Sequence, residues 1–135
     1  MSGLFRISAR DHSALILMSS LAERHDDGVF VSLREVADGM RLSLGYLEEV
    51  ASLLKRADLI EGRQGPNGGY RLSRAPKNIS LDEILTALTG PIELVDCHSG
   101  AVCPVAHKCT SKNVWKTLQQ TIQKSLRATT LESIV

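Results

Sequence analysis

Cys97, Cys103 and Cys109 recur at equal intervals, C-x5-C-x5-C, inside the stretch Asp96-Cys97-His98-Ser99-Gly100-Ala101-Val102-Cys103-Pro104-Val105-Ala106-His107-Lys108-Cys109. Thiolates are ligands for soft metals and for iron-sulfur clusters, and an irregular loop can fold three of them around one inorganic core. Structural zinc sites more often use closer pairs such as C-x2-C, so the spacing lowers the case for zinc without removing it. Three cysteines cannot all pair with one another, and three within thirteen loop residues would be an unusual way to fill a core. No cysteine stands in a recognisable nucleophile-base arrangement, which sets a thiol enzyme aside. The chemistry to expect is ligation, not catalysis.

Three other segments must position this loop. Between Asp11 and Arg24 the apolar residues Ala14, Leu17, Met18, Leu21 and Ala22 recur every three or four positions, which predicts an amphipathic first helix. Ser32-Leu33-Arg34-Glu35 has the form of a capping box and opens a short second helix, with Val36, Ala37 and Met40 as its apolar side and an end near Met40. Ser43 can cap a third helix whose inward stripe is Leu47, Val50, Ala51 and Leu54, with Gly45, Tyr46, Glu48 and Glu49 largely outside. Two short helices joined by a few residues are the frame of a helix-turn-helix.

A glycine-dense turn follows, Glu61-Gly62-Arg63-Gln64-Gly65-Pro66-Asn67-Gly68-Gly69-Tyr70-Arg71-Leu72, between two segments able to pair. Asn-Gly and Gly-Gly tolerate the positive φ angles of tight hairpin turns, so this reads as a β-hairpin, and a hairpin directly after a helix-turn-helix is a wing. Pro76 closes the segment, and Ser80-Leu81-Asp82-Glu83 is a second capping box opening a helix through Leu88. Residues 91–111 show no period and hold all three cysteines. From Asn113 a helical stripe returns with Val114, Leu118, Ile122 and Leu126, joined by Trp115. One domain of this size has little surface left to cover such a helix, so a second copy is its natural partner, ahead of the alternative that it folds back on its own domain.

The 135 residues fit one domain, large enough to bury a core without metal or disulfide support. No apolar run approaches the length that crosses a bilayer, and the N-terminus lacks a signal-peptide pattern, so a cytoplasmic protein with no membrane partner is expected. The net charge of +1 gives nucleic-acid binding no support on its own, although Lys55, Arg56, Arg63, Arg71 and Arg74 cluster in mid-chain.

Taken together, Leu42-Ser43-Leu44-Gly45-Tyr46-Leu47-Glu48, the wing Gly65-Pro66-Asn67-Gly68-Gly69-Tyr70, the helix opening Ile79-Ser80-Leu81-Asp82-Glu83 and the cysteine triplet resemble the Rrf2 family of bacterial regulators, over about residues 6 to 131. The resemblance implies a homodimer with crossed terminal helices, each helix-turn-helix addressing half of a palindromic DNA operator, and a cysteine triplet that holds an iron-sulfur cluster. Cluster-binding members differ in the fourth ligand. Some carry a histidine three residues after the third cysteine, where Lys112 stands here, and an ammonium is a poor ligand. Others take an acidic residue near the start of helix one from the other subunit, a position that His12 fills here. His12 acting across the dimer is the expected ligand, with His98, His107 and Asp11 as competitors. Three cysteines and a histidine fit a 2Fe-2S cluster better than a 4Fe-4S one.

The expected fold is mainly α with a small β-hairpin: a winged helix-turn-helix over residues 1–76, with the wing at about 60–74, and a cluster loop at 91–111 with a dimerisation helix at about 112–130 over residues 77–135, the two forming one compact unit. Ser43, Gly45, Tyr46 and Glu48 are expected in the major groove, and the wing residues Arg63, Gln64, Gly65, Asn67 and Gly68 in the minor groove. Members of the family usually carry arginine before the wing glycine. Gln64 stands there, so either Arg63 substitutes or operator preference differs. The function expected is a DNA-binding transcriptional regulator, not an enzyme and without a small-molecule substrate, that senses redox state, iron-sulfur status or nitric oxide. The rivals are a zinc-stabilised or metal-free DNA-binding regulator and an iron-sulfur carrier.

Overall fold

Ser8 begins the structure's first helix through a capping box: its hydroxyl accepts from the Asp11 N–H at 3.2 Å, and the Asp11 carboxylate accepts from the Ser8 N–H at 3.0 Å. The computed structural model describes residues 8–90 and 110–135, and the side chain of residue 112 is not among those described. Helix α1 runs Ala9–Glu23, and its Ala14, Leu17, Met18 and Leu21 are at most 1% exposed. The expected apolar stripe is therefore the buried one. A single 3-10 turn at His25–Asp27 ends in Gly28, whose left-handed φ of 66° turns the chain back toward the body.

Helix α2 spans Leu33–Met40 and α3 spans Leu44–Arg56. Ser43 caps α3 as expected, accepting from the Tyr46 N–H at 3.3 Å. The stripe of Leu47, Val50, Ala51 and Leu54 is wholly buried, against α1 on one side and α2 on the other. Two expectations for α2 fail. Ser32 caps the helix through the Arg34 N–H, but Glu35 does not complete a capping box; its carboxylate pairs with Arg24 at 3.0 Å. Met40 is the last residue of the helix and is 49% exposed, and a left-handed turn follows it directly. Arg41 makes that turn at φ 54°.

Strands β1 (Ile60–Arg63) and β2 (Gly69–Leu72) pair antiparallel, with Ile60 opposite Leu72, Glu61 opposite Arg71, Gly62 opposite Tyr70 and Arg63 opposite Gly69. Ile60 and Leu72 plug the base of the hairpin into the core. A 3-10 turn at Pro76–Asn78 leads to α4 (Leu81–Thr89), opened by the expected reciprocal bonds of Ser80 and Glu83.

Helix α5 spans Thr110–Ala128, starting earlier than the sequence period suggested and so including the last two residues assigned to the loop. A final turn, α6 (Leu131–Ile134), was not anticipated. It returns the chain to the core: Leu131 is fully buried, its N–H donates to Ile79 at 2.8 Å, and Thr130 bridges to Ser80. Helix α4 lies between α3 and α5, so the recognition-helix position and the long helix share one neighbour.

A candidate nucleic-acid interface and its ligand loop

The first turn of α3 brings together the residues expected in the major groove. Ser43, Gly45 and Glu48 are exposed, while Tyr46 is half-buried and packs against the core. Fixing Ser43 as the cap leaves its hydroxyl proton free to donate outward, and a Cβ on Gly45 would meet nothing closer than the Ser43 Oγ at 3.9 Å. The helix N-terminus thus offers a smooth polar surface with Glu48 as its acceptor, a type that reads cytosine amino groups.

The wing tip places Gln64, Gly65, Pro66 and Asn67 in solvent. The expected positive φ is found in the Gly68-Gly69 pair but not in Asn67-Gly68. Positive φ occurs at Gly65 (107°) and Gly69 (145°), not at Asn67 or Gly68. Gly68 is needed for close approach, since a Cβ there would lie 2.2 Å from the Arg63 carbonyl oxygen. Val31, from the segment before α2, exchanges two 2.8 Å backbone bonds with Tyr70, so the wing is held from below by a third short piece of extended chain.

Arg63 and Arg71 have different surroundings. Arg71 pairs with Glu61 across the hairpin and also lies over the Phe30 ring, 4.5 Å from its centroid. Arg63 is exposed, 5.7 Å from the same centroid, and makes no ion pair among the described residues. The arginine next to the wing tip is therefore unneutralised, as a minor-groove cation must be. Lys55 and Arg56 project from the last turn of α3, where the helix carbonyls favour positive charge. Phe30 carries no signal of these contacts in the sequence: it sits in a short apolar run, Val29-Phe30-Val31, and nothing in that run announces arginines that arrive from the hairpin strands at positions 63 and 71.

The cysteine triplet, Cys97, Cys103 and Cys109, lies outside the described residues, as do His98 and His107. Among the described residues no three His, Cys, Asp or Glu side chains are grouped to hold a metal ion. The two remaining candidates for a fourth ligand separate clearly. Asp11 is 5% exposed; its Oδ2 accepts from the Ser8 N–H and hydroxyl, and its Oδ1 is buried with no partner among the described residues. His12, one residue on, is exposed at the start of α1. The geometry commits Asp11 to its own chain and presents His12 outward. No described helix is long and apolar enough to cross a membrane.

The family model described as an iron-dependent transcriptional regulator, Rrf2, matches residues 7–135. The chain belongs to the Rrf2 family. A protein named as an HTH-type transcriptional regulator in Neisseria meningitidis serogroup A is 32% identical over 130 residues, covering 96% of this chain and 87% of the relative. The HTH-type transcriptional regulator IscR of Photobacterium profundum is 28% identical, covering 96% and 75%. Among solved structures, CymR, the global cysteine regulator of B. subtilis, superimposes with a TM-score of 0.83 at 30% identity, covering 96% of this chain and 95% of that one. IscR of T. potens gives 0.77 at 28% identity, covering 96% and 85%. This Rrf2 chain is thus a winged-helix transcriptional regulator, and the relatives divide between IscR and the cysteine regulator CymR.

Proposed function

We propose that this Rrf2 regulator binds a palindromic operator as a homodimer and that an iron-sulfur cluster, held by Cys97, Cys103, Cys109 and the partner copy's equivalent of His12, sets its affinity. The observation that carries the reading is position. The triplet ends one residue before α5, and the first half of α5 exposes Val114 (54%), Trp115 (37%) and Leu118 (45%). An apolar face that no described residue covers supports burial against a second copy. The ligand loop then stands at the subunit boundary, and an outward His12 can be shared across it.

The donor set fits the group. Three soft thiolates with one borderline imidazole suit iron, and the exposure of His12 at the start of α1 leaves its ring available to such a group. A bound cluster supplies a reversible one-electron couple whose potential follows its ligands and solvent access. The chain's own residues make that state readable by DNA. Helix α5 packs on α4, and α4, whose Ile84 and Leu88 are buried in the core, packs on α3. A change in how two α5 helices meet therefore reaches both copies of the Ser43–Glu48 surface. Two half-sites spaced one helical turn apart, about 34 Å, tolerate little change in that separation.

The test is anaerobic purification with iron, acid-labile sulfide and visible absorption measured on wild type, His12→Ala and Cys103→Ala, together with operator binding of holo and apo protein. Equimolar iron and sulfide with a 2Fe-2S spectrum, altered by His12→Ala and abolished by Cys103→Ala, is expected. Zinc without sulfide, or equal operator affinity of holo and apo forms, overturns the cluster mechanism. A second reading, a metal-free regulator that acts through its thiols, is favoured by the likeness to CymR and predicts a colourless protein whose DNA binding still responds to thiol oxidation.

A further inference from the structure

We propose that Phe30 is a positioning residue for DNA recognition, an aromatic platform that holds the Arg63 and Arg71 guanidinium groups at the wing. The inference rests on the reading of Arg63 as the wing's minor-groove cation and adds a residue outside both the helix-turn-helix and the wing.

Backbone geometry fixes the ring relative to the hairpin. Phe30 immediately precedes Val31, which is locked to Tyr70 by two 2.8 Å hydrogen bonds. Arg71 follows Tyr70, and Arg63 lies opposite Gly69 in the ladder, so both arginines leave the hairpin on the side of this clamp. Their guanidinium carbons stand 4.5 Å (Arg71) and 5.7 Å (Arg63) from the ring centroid, within the range where the negative face of an aromatic ring attracts a cation.

The two cations are held to different degrees. Arg71 is pinned twice, by Phe30 and by Glu61, and its charge is largely spent. Arg63 sits farther out and keeps its five donors for an acceptor beyond the protein. A long arginine otherwise surrenders rotamer freedom when it docks in a groove, so a platform that narrows its positions beforehand lowers the entropy lost on binding. Phe30, Arg63 and Arg71 also line an open cleft of about 560 Å³ between the wing and the start of α2, with Arg24 and Glu35 on its far side. The same cleft is lined by Pro66 and Asn67 of the wing tip, so Arg63 borders open space shared with the tip.

The experiment uses a fluorescein-labelled duplex selected by the wild-type protein from a random-sequence pool, and measures its Kd by anisotropy for wild type, Phe30→Leu, Phe30→Tyr, Arg63→Gln and the Phe30→Leu/Arg63→Gln double variant. Leucine keeps apolar bulk and removes the aromatic face; tyrosine keeps the face. Phe30→Leu is expected to weaken binding about fivefold with an unchanged thermal midpoint, Phe30→Tyr to bind as wild type, and the double variant to bind no more weakly than Arg63→Gln alone. If Arg63→Gln weakens binding while Phe30→Leu does not, the platform is wrong and the wing reading stands. Equal losses for Leu and Tyr, or additive losses in the double variant, also overturn it. If Arg63→Gln has no effect, the wing reading falls and the platform with it.

Discussion

Gly69 and Val31 meet so closely that a side chain on Gly69 has no room: a Cβ there would lie 2.2 Å from the Val31 carbonyl oxygen and 2.8 Å from the Ser32 nitrogen. Both neighbours are backbone atoms, and the glycine also sits at φ 145°. Gly69→Ala is therefore expected to lose about 1–3 kcal/mol of stability or more, with faster amide exchange at Val31 and Tyr70, whose mutual bonds must break. Gly28→Ala, at φ 66° with nothing within 4 Å, is the control and loses about 1 kcal/mol. Urea melts of the two variants decide it; equal losses would refute the claim that contact, not φ alone, selects Gly69.

Leu131 is the core residue farthest along the chain. Its burial is complete, and its truncation leaves a cavity against α1 and Ile79. Leu131→Ala should lose about 2–5 kcal/mol by chemical denaturation. A loss under about 1 kcal/mol would mean that α6 frays from the body.

The reciprocal cap that opens α4 and the ion pair that replaces it at the start of α2 should respond differently to substitution. Glu83 accepts a hydrogen bond from the Ser80 N–H as well as pairing with Arg74, whereas Glu35 makes only an exposed ion pair with Arg24. Ser80→Ala is expected to lose about 1 kcal/mol, and Glu35→Gln between 0 and about 1 kcal/mol with its small effect vanishing in salt. Thermal melts at low and high ionic strength distinguish them.

Leu118→Glu places a charge in the uncovered stripe of α5, where Leu118 is 45% exposed in the single chain. The variant should remain folded by circular dichroism and sediment as a monomer, with operator binding weakened at least tenfold because half-sites are then engaged singly. A dimer that survives this change would place the interface elsewhere.

The helices that carry short-range signals were legible. Ser43 and the Leu47–Leu54 stripe identify α3 because a cap and a 3.6-residue period are both local properties. The same logic misled at Ser32 and Glu35, since a matching spacing does not compel a glutamate to fold back when Arg24 competes for it. Features made by distant residues were silent. Leu131 looks like any leucine near a terminus until Ile79 is placed beside it, and Phe30 gives no sign of the two arginines that reach it across the wing. Of the candidate site, the α3 and wing surfaces follow from the sequence pattern, whereas the outward placement of His12 and inward placement of Asp11 depended on which of two adjacent residues entered the Ser8 cap.

The closing turn of the chain has a mechanical meaning. Thr129 and Leu131 tie the end of α5 to Leu81 and Ile79, and Arg127 reaches Asp82 at 3.4 Å, while Val114 to Leu118 at the other end stand in solvent. A 19-residue helix gripped at its tail is a lever about 28 Å long. A tilt of about 10° at the grip displaces Thr110, the residue next to Cys109, by roughly 5 Å, and the reverse holds: a small pull at the cysteine end arrives at Ser80 and Ile79 as torque on the body that carries the wing.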